Sequence, residues 1–414
     1  MDMRWIEERW VGAAVATARA SSAVLEHAAP HLGEQALGRA ARFAGRILHA
    51  IGHPDQISTV VLIISSKCNA RCGFCFDTDL PHHEAQGPTP PGSPKLTLGE
   101  YQQIADHLPR LHQVMLGGGE PFLRMDIDRI AEAFYERSDV RLFSIPTNGS
   151  LRERTIEKVT AIAERCPRAT INLQVSVDAV GAKHDTLRVL PGCFDSAIAL
   201  VDDLLRLSER LPNVNPVVST AVTAGNVDDV ADLCVYLHDA LGGRLRYHNI
   251  QYDQRLGARL MEDPQLREKV LAIEERWVKG GGSDLRSRLI QRYYVGFINS
   301  LIFAQLEAGR MLYRCNAGDK LCVVMPDGRV SPCEPFVFEP RYTHLPRFNL
   351  REYDYDFGRV ARDPRYRELL SFIEEGECEA CPWSCAAIAS MTFSPANWPL
   401  LAAGYEGRAA RRGP

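Results

Sequence analysis

The sequence predicts an α/β protein. Its centre is a parallel sheet curled into a partial (β/α)6 TIM-like barrel, with a helical N-terminal extension and a small cysteine-rich C-terminal domain. Two observations carry this reading. From Val60 to about Ile250, short apolar runs rich in β-branched residues alternate with helical patterns. Strands buried on both faces read as such continuous runs, and repeated βα units lay them parallel beneath covering helices. The second observation is that nine of the twelve cysteines fall in two groups, one directly after the first apolar run and one in the last third of the chain.

Residues 1–55 read as two or three helices, with Val11, Ala14, Val15 and Ala18 at helical spacing. Pro30 interrupts the pattern, and Gly52 with Pro54 closes it. The opening residues are too charged for a secretory signal, and the apolar stretch Trp10 to Ala18 is too short to span a bilayer. A helical extension packed on the main domain is expected; its alanine-rich faces with arginines also suit a membrane surface. The predicted core covers 56–255. Strands are expected at 60–65, 113–117, 141–146, 170–177, 216–222 and 244–251, and helices at 98–108, 126–137, 151–165, 193–210 and 227–241. Thr97 and Glu100 have the spacing of a capping box at the first of these helices.

Residues 77–96 are rich in proline and glycine and form a loop leaving the first cysteine group, able to cover whatever that group holds. Its His82 and His83 are read as solvated. Residues 256–311 form a helical linker broken by Gly280–Ser283, and 312–414 a C-terminal domain. There Val323 to Cys333 reads as a β-hairpin about an Asp327-Gly328 turn.

The chain has 414 residues and a net charge of −4, which does not suggest a general nucleic-acid binder. Cys68, Cys72 and Cys75 follow the first strand at x3 and x2 spacing. Three thiolates on one concave loop suit a cubane iron–sulfur cluster with one iron left open. A zinc knuckle with a distant fourth ligand is the alternative. Thiolates held for iron must stay reduced, so a cytoplasmic setting is expected.

The C-x3-C-x2-C motif resembles the signature of the radical S-adenosylmethionine (radical SAM) enzymes, and the resemblance runs over about residues 58–250. Phe74, before the third cysteine, would lie near the cofactor adenine. Gly118-Gly119-Glu120-Pro121 resembles the family's Gly-Gly-Glu-Pro strand end, which holds the methionine amino group. Thr147-Asn148-Gly149 and Ser176-Val177-Asp178 resemble the next strand ends, the latter reaching the ribose or methionine portion. Arg188 resembles the arginine that pairs with the cofactor carboxylate. These motifs fall at carboxyl ends of predicted strands, where such sheets place their sites.

Cys315, the Gly328-x4-Cys333 hairpin and Cys378, Cys381 and Cys385 resemble the SPASM and Twitch extensions of that family, which hold auxiliary [4Fe–4S] clusters. The six C-terminal cysteines fall short of a full two-cluster set. One cluster is expected, on Cys315, Cys333 and two of Cys378, Cys381 and Cys385, with Cys322 a bystander; a structural zinc site is the alternative. Cys234 and Cys166 read as structural. Cys193 is a helix-start residue that could also donate a hydrogen atom to a substrate radical.

The resemblance implies reductive cleavage of S-adenosylmethionine to a 5′-deoxyadenosyl radical, which takes a hydrogen atom from a small-molecule substrate in an oxidation, epimerisation or rearrangement. An electron donor such as flavodoxin or ferredoxin would serve it. Modification of a precursor peptide is the alternative, and a non-catalytic iron–sulfur carrier a further one. A carrier would have no need of Glu120, Asn148 or Arg188.

Overall fold

A computed structural model of the chain describes residues 36–53, 56–75, 94–241, 243–253, 262–273, 294–342, 344–375, 378 and 380–403. The N-terminal helices expected before residue 36, His82 and His83 with most of their loop, and Gly280–Ser283 lie outside these residues.

The core alternates strand and helix as the periodicity predicts. The strands are β1 (Thr59–Ser65), β2 (Gln113–Gly118), β3 (Leu142–Thr147), β4 (Thr170–Ser176), β5 (Val214–Val222) and β6 (Tyr247–Tyr252). They lie in the sheet order β6-β5-β4-β3-β2-β1, every neighbouring pair parallel. The helices are α1 (Ala36–Gly52), α2 (Leu98–Asp106), α3 (Ile127–Arg137), α4 (Arg152–Arg165), α5 (Ala182–Arg188), α6 (Cys193–Arg210) and α7 (Val230–Ala240). All seven residues of β1 are buried, as its unbroken apolar run requires. The sheet curls as a partial TIM-like barrel and does not close.

The capping box forms: the Glu100 amide donates to Thr97 Oγ1 at 3.3 Å, and the Thr97 amide donates to Glu100 Oε2 at 2.8 Å. Glu100 also accepts from Arg351 Nε at 2.6 Å and the Tyr355 hydroxyl at 2.9 Å, tying α2 to the C-terminal part of the chain.

The C-terminal hairpin forms about its Asp327-Gly328 turn, where Gly328 adopts φ 88°, a left-handed conformation that costs glycine least. Its strands are β7 (Leu321–Val324) and β8 (Arg329–Ser331), followed by β9 (Phe348–Asn349). Sequence alone did not place this hairpin: β7 lies parallel to β1, so the order continues β1-β7-β8-β9 into one nine-stranded sheet. The cysteine-rich segment thus extends the core sheet directly. Lys320, just before β7, is buried and donates to the carbonyls of Ala50, His53 and Gln56 at 2.5, 2.6 and 3.2 Å. Its ammonium satisfies carbonyls at and beyond the C-terminal end of α1, where a cation is favoured.

Within the predicted linker, α8 (Pro264–Ile273) and α9 (Gly296–Ala308) form. The remaining helices are α10 (Pro335–Phe338), α11 (Phe357–Arg362), α12 (Pro364–Glu374), α13 (Ser384–Phe393) and α14 (Trp398–Ala403). Helices α9 and α13 pack on each other through Phe297, Ile298, Leu301, Ala387 and Met391. Asn299 of α9 donates to the Ile250 carbonyl of β6 at 3.3 Å. Ile388 and Ala389 of α13 line the barrel interior, so this helix pair lies along the barrel's open side.

Candidate active site

A cavity of about 370 Å³ runs through the barrel interior to the carboxyl ends of the parallel strands. Cys68, Cys72 and Cys75 line it on the loop leaving β1. The loop is pinned on several sides. The Cys75 amide donates to the Cys72 carbonyl at 3.1 Å, and the Arg71 amide donates to the Arg188 carbonyl at 2.9 Å. Asn69 donates to Ser150 Oγ at 2.8 Å and accepts from Asn148 Nδ2 at 2.9 Å. The Ala70 amide points at Cys68 Sγ, 3.4 Å away. Burial raises the Cys68 and Cys72 thiols, while Arg188 draws both down. Sulfur ligands of this kind lose their protons on binding a metal. Among the described residues, no three histidine, cysteine, aspartate or glutamate side chains are drawn together tightly enough to hold a metal ion.

The glycines after β2 bring Glu120 beside this loop. Gly118 has φ 117°, and a Cβ there would stand 2.3 Å from the Ser65 carbonyl oxygen. The close approach lets the Gly119 amide donate to Ser65 and the Glu120 amide to Lys67, both at 2.8 Å. Glu120 is buried and lines the cavity. Its Oε1 accepts from the Thr147 hydroxyl at 2.9 Å and the Phe122 amide at 3.2 Å; its Oε2 accepts from the Asn148 amide at 2.8 Å. Burial nonetheless pushes its carboxyl up to about 6, against the pull of these donors and of Arg188. A buried carboxylate held by neutral donors suits a ligand ammonium.

Arg188 ends the short helix α5, which the sequence reading left out because seven residues give little periodicity. It is buried, and its Nε and Nη2 meet Asp178 Oδ2 at 2.8 and 2.7 Å. Asp178 Oδ1 accepts from the Ala221 amide at 2.9 Å. Asp178 is fully buried and does not appear among the cavity-lining residues, so it positions Arg188 from behind. Phe74 lies 5.8 Å from the Arg188 guanidinium. Phe74, Gly118, Gly119, Asn148, Ser176 and Arg188 all line the cavity; Pro121 instead opens a turn of 3-10 helix beneath it. Cys193 is directed elsewhere. It is buried, its thiol donates to the Asn148 carbonyl at 3.3 Å, and it is not among the residues lining the cavity.

The C-terminal cysteines separate. Cys315, Cys333, Cys378 and Cys381 line one small cavity of about 30 Å³. Beside them the Tyr313 hydroxyl is buried without a hydrogen-bond partner. Four soft donors and an orphaned hydroxyl donor fit a group bearing sulfur acceptors. Cys322 is fully buried in β7, in register with Val60. Cys385 is not among the residues lining that small cavity: it lines the large one, and its thiol donates to Glu334 Oε1 at 3.4 Å.

Sequence reasoning missed Glu334, and it missed the amide side chains Gln113, Gln174, Asn249 and Gln251 that line the barrel interior. Their signal was present as polar residues interrupting apolar strands.

Residues 62–234 match the Radical SAM superfamily. The chain carries a radical SAM domain. Over 181 residues it is 28% identical to a probable GTP 3′,8-cyclase of Methanocella arvoryzae, covering 43% of this chain and 53% of that protein. It is 30% identical over 178 residues to an S-adenosylmethionine-dependent nucleotide dehydratase of Selenomonas ruminantium, covering 41% and 58%. The chain spans about half the length of the curated relatives it matches. The crystal structure of Streptococcus suis SuiB bound to precursor peptide SuiA is similar in fold, with a TM-score of 0.50 and 17% identity over 81% of this chain and 71% of that one. The radical SAM domain accounts for β1 to α7 and so holds each of the cavity motifs up to Arg188.

Proposed function

We propose that this chain is a radical SAM enzyme acting on a small, polar, hydroxyl-bearing molecule, with one auxiliary iron–sulfur cluster. The observation that carries the reading is the meeting of Cys68, Cys72, Cys75, Glu120, Asn148 and Arg188 on one cavity. Cys68, Cys72 and Cys75 would hold a [4Fe–4S] cluster, and Glu120 and Arg188 would take the amino and carboxylate groups of S-adenosylmethionine. When bound, these cofactors supply one-electron cleavage of a carbon–sulfur bond and removal of a hydrogen atom from the substrate.

The chain's own residues bind, orient and exclude water. Asp178 fixes the Arg188 guanidinium, and Thr147 with Asn148 fixes the Glu120 carboxylate. Neutral amides on β2, β4 and β6 line the interior and suit hydroxyl groups. Cys315, Cys333, Cys378 and Cys381 are assigned to the auxiliary [4Fe–4S] cluster, in a domain of 312–414 built onto the edge of the core sheet.

The substrate class has a direct test. A protein-free extract treated with peptidases should stimulate 5′-deoxyadenosine formation by the reconstituted, reduced chain. Stimulation that disappears on peptidase treatment would favour a precursor peptide.

A further inference from the structure

One wall of the large cavity is not accounted for by cofactor motifs. Cys385 stands in the first turn of α13, and Glu334 precedes α10; both line the cavity. The Glu334 backbone is fixed, since its carbonyl accepts from the Val337 amide at 2.8 Å and the Phe338 amide at 3.0 Å. The residue is only 3% exposed. Its Oε1 accepts the Cys385 thiol at 3.4 Å, while its Oε2 is buried with no hydrogen-bond partner. A buried carboxylate oxygen left without a donor costs more than an ordinary unmade hydrogen bond.

None of the neutral donors described in the cavity lining is bonded to that oxygen, and a cation would satisfy it best. Among its described lining residues Arg188 is the single cation, and Asp178 already holds it. With Glu120 assigned to the cofactor amine, Glu334 remains as a second buried carboxylate on the cavity wall. With the auxiliary cluster assigned to the four cysteines of the small cavity, Cys385 would be a free thiol on the large one.

We propose that Glu334 and Cys385 form a substrate subsite for a protonated amine, so that the substrate is an amine-bearing small molecule. The inference rests on the reading of this cavity as the active site and narrows its substrate class. Glu334 Oε2 accepts from the substrate ammonium. The Cys385 thiol holds Oε1 and so sets which oxygen faces the ligand.

The thiol gives a readout that needs neither turnover nor the substrate. Anaerobically reconstituted chain is treated briefly with methanethiosulfonates carrying an ammonium, a neutral hydroxyl or a sulfonate group. Modification of Cys385 is followed by peptide mass spectrometry, each rate being divided by that of the same reagent with a small free thiol. The ammonium reagent should modify Cys385 faster than the sulfonate by about tenfold or more, with the neutral reagent between them. Glu334→Gln should reduce that spread while Cys385 still reacts and iron content is kept. Equal normalised rates, a preference for the sulfonate, or a Cys385 that none of the reagents modifies would overturn the subsite. The wild-type comparison stands even where the variant fails to fold. A chain that cleaves S-adenosylmethionine yet shows no charge preference loses the subsite alone. A chain that shows the preference but never cleaves the cofactor loses the enzymatic reading instead.

Discussion

Glu120 shows how one carboxylate is made ready for a cation. Three neutral donors orient it, and burial keeps it uncomfortable until a positive partner arrives. Its carboxyl sits at about 6 in the free chain, above the ordinary 4.5, so the acidic form begins to gain below that pH. A bound ammonium favours the carboxylate and lowers its pKa in the complex. Affinity for S-adenosylmethionine should therefore weaken as pH falls through about 6 and level off below the pKa of the complex. Glu120→Gln should lose that pH step and bind more weakly at neutral pH, by about 2–5 kcal/mol if the buried contact is as assigned. Equilibrium dialysis across pH 5 to 8, roughly the span in which this group titrates, would measure both effects. A pH-independent affinity in the wild type would count against the assignment. The spacing of Gly118 to Pro121 made this residue legible in the sequence. Glu334 was not legible, because its role depends on a hairpin and a helix 51 residues apart in sequence, joined by the contact with Cys385.

At the scale of elements, β1 was readable because it is an apolar run buried along its whole length, and β4 because buried apolar residues alternate with part-buried ones, whereas in β6 Ile250 is the single buried residue. Helix α5 was too short to show a period, and the placement of β7 beside β1 is a non-local pairing that no local pattern encodes. That pairing is secured at its start by Lys320, whose ammonium reaches three carbonyls around the end of α1. Lys320→Met should leave these carbonyls without their donor and destabilise the fold by about 1–3 kcal/mol. Denaturant unfolding of the two chains side by side, together with limited proteolysis, would detect it. The expected pattern is a lower midpoint, with earlier cleavage near residues 50–56. Unchanged stability would show that water replaces the ammonium at no cost.

For the molecule as a whole, one sheet carries both cysteine groups. The parallel part presents Cys68, Cys72 and Cys75 at its mouth, and the hairpin added to its edge carries Cys333. The sequence pointed to one auxiliary cluster but left its last two ligands open among three cysteines. They line two cavities, Cys378 and Cys381 the one shared with Cys315 and Cys333, and Cys385 the other, so we propose Cys378 and Cys381 as the last two ligands. In a Cys68→Ala/Cys72→Ala/Cys75→Ala background, iron should stand at about four atoms per chain. Adding Cys385→Ser should preserve that iron, and adding Cys381→Ser should lose most of it. Iron that depends on Cys385 and not on Cys381 would reverse the assignment.

On the proposed function, the strand ends around Cys68, Cys72 and Cys75 form a site for reductive cleavage of S-adenosylmethionine. Its most direct test is to measure 5′-deoxyadenosine formed under anaerobic, reducing conditions by reconstituted wild-type chain and by the triple cysteine variant. The account predicts product from the wild type and none above background from the variant, although the variant keeps its C-terminal iron. Equal product from both chains, or none from a wild type carrying its full iron, would contradict it.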